Sequence, residues 1–139
     1  MALTIRPFDV RDEAAVVALW SDAFPHPSPR NDPLTIIRQK RRVQPELFLV
    51  GEAEGRVVAT VLAGYDGHRG WVYHVAVAAD AQRHGYGRAM MAAAADRLRA
   101  LGCPKINLQI NRSNAEVVAF YEALGYAVED RVSMGKVLS

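Results

Sequence analysis

Cysteine, net charge and long apolar runs are all scarce in this sequence of 139 residues. The single cysteine, Cys103, cannot form an internal disulfide, which fits a reducing compartment. A formal net charge of +2 is too small to indicate a nucleic-acid-binding surface. No apolar run approaches the length of a membrane span, and the N-terminus lacks the basic-then-apolar pattern of a secretory signal. We therefore expect a cytoplasmic protein that binds neither nucleic acid nor membrane, and we expect no metal site.

Repeats, low-complexity tracts and linkers are also missing from the sequence, so residues 1–139 are expected to form a single domain. A chain of this length can bury a hydrophobic core without disulfides or metals. Half of its residues are hydrophobic and 23% are charged, which is typical of a globular protein.

Apolar periodicity and turn residues predict the element order β-α-α-β-β-β-α-β-α-β-β. The predicted strands cover residues 3–8, 47–53, 56–65, 71–77, 106–110, 126–131 and 132–138. Four helices are predicted. The first follows Asp9, the second covers residues 33–42, the third ends at Gly102, and the fourth covers residues 115–124. Hairpins in the front half and crossovers in the back half indicate an α+β or mixed α/β fold, in which helices cover both faces of a mixed sheet, and not an all-parallel fold.

The stretch from residue 71 to 102 organises the chain. An apolar strand, residues 71–77, is followed by the loop sequence QRHGYGR at 82–88 and then by a helix rich in Ala, Met and Leu. The free N–H groups and the dipole at a helix start favour phosphate, and Gly85 and Gly87 leave room for it. The side chains of Arg83, His84 and Arg88 add positive or potentially positive charge, which would attract phosphate. The same pattern occurs in ordinary turns and in nucleotide sites, although a dinucleotide fold would place the loop after an early strand rather than the fourth.

With these elements placed, the sequence resembles the GNAT family of acetyl-coenzyme A dependent N-acetyltransferases. Residues 82–87 fit the family loop Gln/Arg-x-x-Gly-x-Gly/Ala, directly after a strand that ends in Val-Ala-Val at 75–77. Asn114 stands seven residues before Tyr121, and residues 121–126 fit the family's Tyr-Glu-x-Leu-Gly-Phe/Tyr helix ending. Residues 65–70 and 102–106 look closer still to the small bacterial YpeA-like branch.

The resemblance implies an enzyme that moves the acetyl group of acetyl-CoA to a primary amine of a small molecule or peptide by direct attack on the thioester. Strand 71–77 would splay from strand 106–110, and the pantetheine arm would pair with backbone in the gap. The N–H of Val77 or a near neighbour would stabilise the oxyanion. Asn114 would bind the arm, and Tyr121, near the sulfur, would act as general acid. The implied cofactor-binding residues are Val75, Ala76, Val77, Arg83, His84, Gly85, Tyr86, Gly87, Arg88, Asn114 and Tyr121.

No carboxylate lies on strand 71–77 to serve as the general base. In ribosomal-protein N-terminal acetyltransferases the position five residues before Asn114 holds a glutamate, and here it is Gln109, which cannot accept a proton. His74 is a candidate base because its ordinary pKa is near neutrality. Strict strand alternation would put it on the face opposite Tyr73, where it could simply pack against a helix. Further alternatives are Asp66, His68, Glu52 and a water chain.

The acceptor amine is expected between the loop after the first helix and the hairpin end near residue 65. Aromatic residues with an arginine would suit a small amine that also bears an anionic group. The candidate lining residues are Phe24, Arg30, Asn31, Tyr65, Asp66 and Tyr73, with His26 and Arg69 nearby and Trp20 as either lining or core.

Two other functions stay open at this stage. A non-catalytic module that binds or senses acyl-CoA would keep the cofactor groove without turnover. A nucleotide-binding protein would use the glycine loop alone. The sequence leaves both a monomer and a homodimer possible.

Overall fold

The computed structural model describes residues 2–139, which fall into two compact units, residues 2–109 and residues 110–139. The first unit contains β1 (Thr4–Pro7), α1 (Glu13–Ala23), α2 (Pro33–Lys40), β2 (Phe48–Ala53), β3 (Arg56–Tyr65), β4 (Gly70–Val77), α3 (Tyr86–Ala100) and β5 (Ile106–Asn107). The second unit contains α4 (Ala115–Ala123). The predicted single domain over the whole chain stays a prediction.

The five strands form one mixed sheet in sequence order, β1-β2-β3-β4-β5. The first four strands pair antiparallel, and β4 pairs parallel with β5. The predicted α+β fold is therefore confirmed. The start of α2 follows the predicted capping chemistry: the carboxylate of Asp32 accepts from the N–H of Thr35 at 3.1 Å, and Pro33 occupies the first helical position.

Helices cover both faces of the sheet in the first unit. On one face, Trp20 of α1 and Ile37 of α2 share a buried cluster with Phe48 of β2. Residues of β2 alternate between the two faces, so Gly51 points the other way, where a Cβ would lie 2.9 Å from Sδ of Met90 in α3. The missing side chain thus lets α3 pack closely against the sheet.

Three strand predictions were wrong, one in extent and two in existence. The predicted strand 106–110 keeps only Ile106–Asn107, because its ladder with β4 ends after the pair Trp71↔Asn107. No described residue of the predicted closing strands, 126–131 and 132–138, lies in a strand, and Val128, Val132 and Met134 are at least three-quarters exposed. Apolar alternation is present there, but the junction at 131–132 has no Gly, Asn or Pro to form a tight hairpin, and two strands alone are marginally stable.

Asp12 anchors the start of α1 through a charge network. Its carboxylate accepts from Arg6 at 2.7 and 3.0 Å and from the backbone N–H of Asp9 at 2.9 Å, and Arg6 also pairs with Glu52 at 2.8 Å. Asp12 is 5% exposed, and the hydrogen bond from Arg6 is the main cause that lowers its pKa below the ordinary value.

Asp12→Asn is expected to lower the free energy of unfolding by about 2 kcal/mol at pH 7, because Arg6 loses its buried ionic partner. A carboxylate with a lowered folded-state pKa stabilises the fold above its unfolded pKa of about 3.9 and loses that effect as pH falls through the folded value. The difference in the free energy of unfolding between Asp12→Asn and the wild type should therefore shrink toward pH 3. Urea unfolding at both pH values measures this. Asp96→Asn, which breaks only an exposed pair with Arg99, is the control and should change nothing measurable.

Candidate active site

A β-bulge interrupts β4 at His74. Leu62 of β3 pairs with Tyr73, whereas Thr60 pairs with Ala76, so β4 carries one extra residue between these pairs. The backbone of His74 adopts a left-handed φ of 50°. This conformation costs a non-glycine residue about 1–2 kcal/mol, so it needs support from its surroundings.

Two hydrogen bonds at the buried side chain of Thr60 supply that support. The hydroxyl of Thr60 donates to the carbonyl of His74 at 2.9 Å. The oxygen of that hydroxyl also accepts a hydrogen bond from Nε1 of Trp20 at 2.9 Å. Thr60 is fully buried and Trp20 is 1% exposed. Sequence reasoning missed Thr60. Its signal was a hydroxyl in the otherwise apolar run VVATVLA at 57–63.

Beyond the bulge, one edge of β4 has no ladder partner among residues 2–109. Pairing with β5 stops at Trp71. The N–H of Ala78 donates to the carbonyl of Val58 in β3 at 2.8 Å. Because backbone groups alternate along a strand, the N–H groups of Val75 and Val77 point away from β3, toward this open edge. The predicted splay between β4 and β5 agrees with this short ladder.

The loop after β4 leads into the N-terminus of α3. Gly85 occupies the N-cap position with a φ of 75°, and no side chain caps the first turn. Arg83, His84 and Arg88 are exposed around it. Tyr86 is 4% exposed, its ring lies 5.5 Å from that of His84, and its buried hydroxyl has no hydrogen-bond partner. The uncapped N–H groups at the start of α3, with the guanidinium groups of Arg83 and Arg88 nearby in the chain, are of the kind that a phosphate group would need.

In the second unit, Asn114 caps α4. Its side-chain oxygen accepts from the N–H of Val117 at 3.3 Å, and its amide nitrogen carries two further donors. Tyr121 is 8% exposed, and its ring lies 5.6 Å from that of Tyr126. Burial, with a smaller contribution from Tyr126, raises the pKa of Tyr121 to about 12. The phenol is therefore protonated throughout the physiological range.

The ring of His74 packs against α1 rather than standing free. Its centroid lies 4.9 Å from Trp20 and 4.8 Å from Phe24. The strict alternation assumed from sequence does not apply at a bulge. Burial lowers the pKa of His74 below the ordinary value of 6.5, so the ring is neutral at pH 7. Its role as a base stays a prediction.

The pKa of His74 makes the stability of the fold depend on pH. A histidine with a lowered folded-state pKa stabilises the fold above its unfolded pKa, and this contribution is lost as pH falls below about 6.5 through the folded value. In His74→Asn, we expect the free energy of unfolding to fall less between pH 7 and pH 5 than it does in the wild type. Asparagine is chosen because it tolerates a positive φ. Chemical unfolding at several pH values tests this. If His74 is the general base, the same substitution should also remove the acid limb of the pH–rate profile. An unchanged profile in His74→Asn would exclude His74 as the base.

The predicted acceptor residues are only partly brought together. Phe24 contacts His74, whereas Arg30 and Asn31 lie exposed on a short 3₁₀ turn. Tyr65 exchanges two backbone hydrogen bonds with the side chain of Gln44, and Tyr73 is 53% exposed.

The other candidate bases have structural partners. Asp66 closes the β3–β4 turn by accepting from the N–H groups of Arg69 and His68, and these bonds lower its pKa, which makes it a weaker base. Glu52 is paired with Arg6. Glu52 also lines a groove of about 920 Å³ that contains none of the predicted cofactor or acceptor residues.

The family model described as the acetyltransferase (GNAT) family matches residues 14–126. The chain belongs to this family. A relative from Yersinia enterocolitica serotype O:8, named as an acetyltransferase, is 38% identical over 138 residues, which are 98% of this chain and 96% of the relative. This GNAT protein is accordingly an N-acetyltransferase, a member of the acyltransferases.

Solved structures show the same fold. Ard1 from Thermoplasma volcanium matches this GNAT protein with a TM-score of 0.83 and 25% identity, covering 93% of this chain and 85% of that one. The PaiA N-acetyltransferase from Thermoplasma acidophilum, solved in complex with coenzyme A, matches with a TM-score of 0.81 and 16% identity over 95% and 94% of the two chains. Among residues 2–139 of this GNAT protein, no helix is both long and apolar enough to cross a membrane, and no three His, Cys, Asp or Glu residues are grouped to hold a metal.

Proposed function

We propose that this N-acetyltransferase uses acetyl-CoA as its acyl donor and transfers the acetyl group to a primary amine of a small molecule or peptide. The observation that carries the proposal is the open edge of β4, with the N–H groups of Val75 and Val77 on it and the uncapped start of α3 following in the chain. An extended pantetheine arm can pair with such an edge as a strand does. The crystallisation of the PaiA neighbour with coenzyme A supports this donor.

The donor would be held at two places in the first unit. Val75, Ala76 and Val77 would pair with the pantetheine arm, and the diphosphate would lie at the N-terminus of α3. The residues proposed for the diphosphate are Arg83, His84, Gly85, Tyr86, Gly87 and Arg88. From the second unit, the amide nitrogen of Asn114 would donate to the arm.

Acetyl transfer forms a C–N bond and breaks a C–S bond. The amine nitrogen attacks the thioester carbonyl carbon, and the carbonyl oxygen becomes an oxyanion that an edge N–H, of Val77 or its neighbour Val75, stabilises. Collapse of this intermediate expels the coenzyme thiolate, which takes up a proton, while the amine loses one. His74 and water remain the candidate acceptors for the amine's proton.

Tyr121 is proposed as the donor to the departing sulfur. A phenol with a pKa of about 12 is a weaker acid than a thiol, whose ordinary pKa is about 8.5. Complete transfer of the proton to a free thiolate is therefore uphill. The main contribution of Tyr121 is then a hydrogen bond that strengthens as negative charge develops on sulfur during C–S cleavage.

The acceptor is proposed to be an amine that also bears an anionic group. Phe24 and Tyr73 supply aromatic surface, and Arg30 supplies a guanidinium suited to a carboxylate or phosphate. Asn31, Tyr65 and Asp66 complete the proposed lining. The single cysteine supports action in the cytoplasm, where thiols stay reduced. We propose either a monomer or a homodimer as the active form.

A turnover experiment tests the proposed function. The purified protein is incubated with acetyl-CoA and a panel of amino acids, polyamines, aminoglycosides and peptides, and thiol release and N-acetyl product are measured together. We expect turnover with at least one amine that carries an anionic group. Tight coenzyme A binding without turnover on any amine would support the non-catalytic module instead. Stronger thermal stabilisation by a nucleotide than by coenzyme A would support the nucleotide-binding alternative.

A further inference from the structure

The direction of the backbone N–H groups changes along β4 at the bulge. Before the bulge, the N–H of Gly70 donates to the carbonyl of Lys105, beside β5, at 2.8 Å, so even-numbered residues face the β5 side. After the bulge, the N–H of Ala78 donates to Val58 of β3 at 2.8 Å, so even-numbered residues face β3. In an unbulged strand, Val75 and Val77 would direct their N–H groups into the β3 ladder. The extra residue at His74 is therefore what places them on the open edge.

The bulge is held from the neighbouring strand by one side chain. The hydroxyl of Thr60 donates to the carbonyl of His74 at 2.9 Å, and Thr60 itself is fully buried. The indole of Trp20 donates to the same hydroxyl at 2.9 Å, which orients it toward the carbonyl. The hydroxyl is thus fixed as an acceptor from α1 and as a donor to β4.

We propose that Thr60 is a positioning residue that fixes the bulge and so keeps the N–H groups of Val75 and Val77 on the open edge of β4. The kinetic part of this inference rests on the proposed function, whereas the structural part does not. Thr60 itself lies in the buried core and would act through β4. Trp20 supports it by orienting the hydroxyl.

Thr60→Val tests the structural part by hydrogen exchange. The variant keeps the shape of the side chain and removes the hydroxyl. In the wild type, the amides of Ala76 and Ala78 should exchange more slowly than those of Val75 and Val77. In Thr60→Val, we expect the exchange of Ala76 and Ala78 to accelerate at least tenfold relative to the core amide of Val50, because a slipped or frayed β4 loses these bonds to β3.

Matched variants separate positioning from general stability. Thr60→Ser keeps the hydroxyl and should preserve the wild-type exchange pattern. Val16→Ala weakens the same core without touching the bulge and should leave the relative exchange of β4 amides unchanged. If Thr60→Val fails to fold, Trp20→Phe is the second variant. It removes the donor to Thr60 and part of the buried indole ring, and it should accelerate the exchange of the same amides to a smaller extent.

The kinetic part predicts that Thr60→Val lowers kcat at least tenfold, whereas Thr60→Ser stays within threefold of the wild type. An unchanged exchange pattern in Thr60→Val would overturn the inference even if the protein acetylates amines normally. A changed pattern in a protein that acetylates nothing would leave the inference standing and contradict the proposed function.

Discussion

Tyr121→Phe is expected to lower kcat about 100-fold, because the departing sulfur loses its hydrogen-bond donor as negative charge develops on it. The KM for acetyl-CoA should change little, since the phenol acts mainly in the transition state. A pKa of about 12 also means that Tyr121 stays protonated up to about pH 10. The wild type should therefore show no alkaline fall in kcat from this residue below that pH. Steady-state kinetics between pH 6 and pH 10 measure both expectations.

Tyr126→Phe provides the control for Tyr121. Its ring contacts Tyr121 at 5.6 Å, and it is half-buried, so the variant makes the same chemical change next to the proposed donor. We expect kcat to stay within about threefold of the wild type. Equal losses in the two variants would assign the effect to packing around α4 rather than to a bond with sulfur.

Gly87→Ala is expected to raise the KM for acetyl-CoA at least tenfold while raising the thermal stability. A methyl group in the first turn of α3 would crowd the proposed diphosphate site, and a tenfold loss of binding corresponds to about 1.4 kcal/mol. Alanine is a better helix former than glycine by about 1 kcal/mol, so the same change should favour the folded state. Steady-state kinetics with varied acetyl-CoA measure the KM, calorimetric titration of coenzyme A measures the accompanying loss of binding, and thermal unfolding measures the stability.

Ala92→Gly makes the reverse change on an exposed face of the same helix. It should lower stability by a similar amount and leave the KM for acetyl-CoA unaltered. A rise in KM in both variants would show that helix stability, rather than space at the loop, controls cofactor affinity.

The sequence predicted the front of the sheet well because its signals there are local. The turn signal at residues 54–55 and the apolar runs on both sides of it predicted the β2–β3 hairpin, which the structure contains. The Asp-Pro pair at 32–33 correctly predicted the start of α2. Each of these features depends on residues within a few positions of one another, where capping and turn chemistry dominate.

The sequence predicted the end of the chain poorly because strand formation there depends on a partner. Residues 126–138 contain apolar residues that could face a core, but such residues do not by themselves provide a partner strand. The bulge at His74 was missed for the same reason, since it arises from register against β3 and from the hydroxyl of Thr60. The site residues proposed from family motifs lie on the elements expected, whereas the acceptor lining, which no motif marks, could not be predicted as a set.

The unpaired edge of β4 also bears on how the protein behaves before it meets its coenzyme. Exposed N–H and C=O groups along a strand are a template on which other chains can add, and this is a common route to aggregation. Under the proposed binding mode, coenzyme A would cover those groups, so supply of the coenzyme would govern solubility as well as turnover. Preparations stripped of coenzyme A would then precipitate sooner than preparations that retain it.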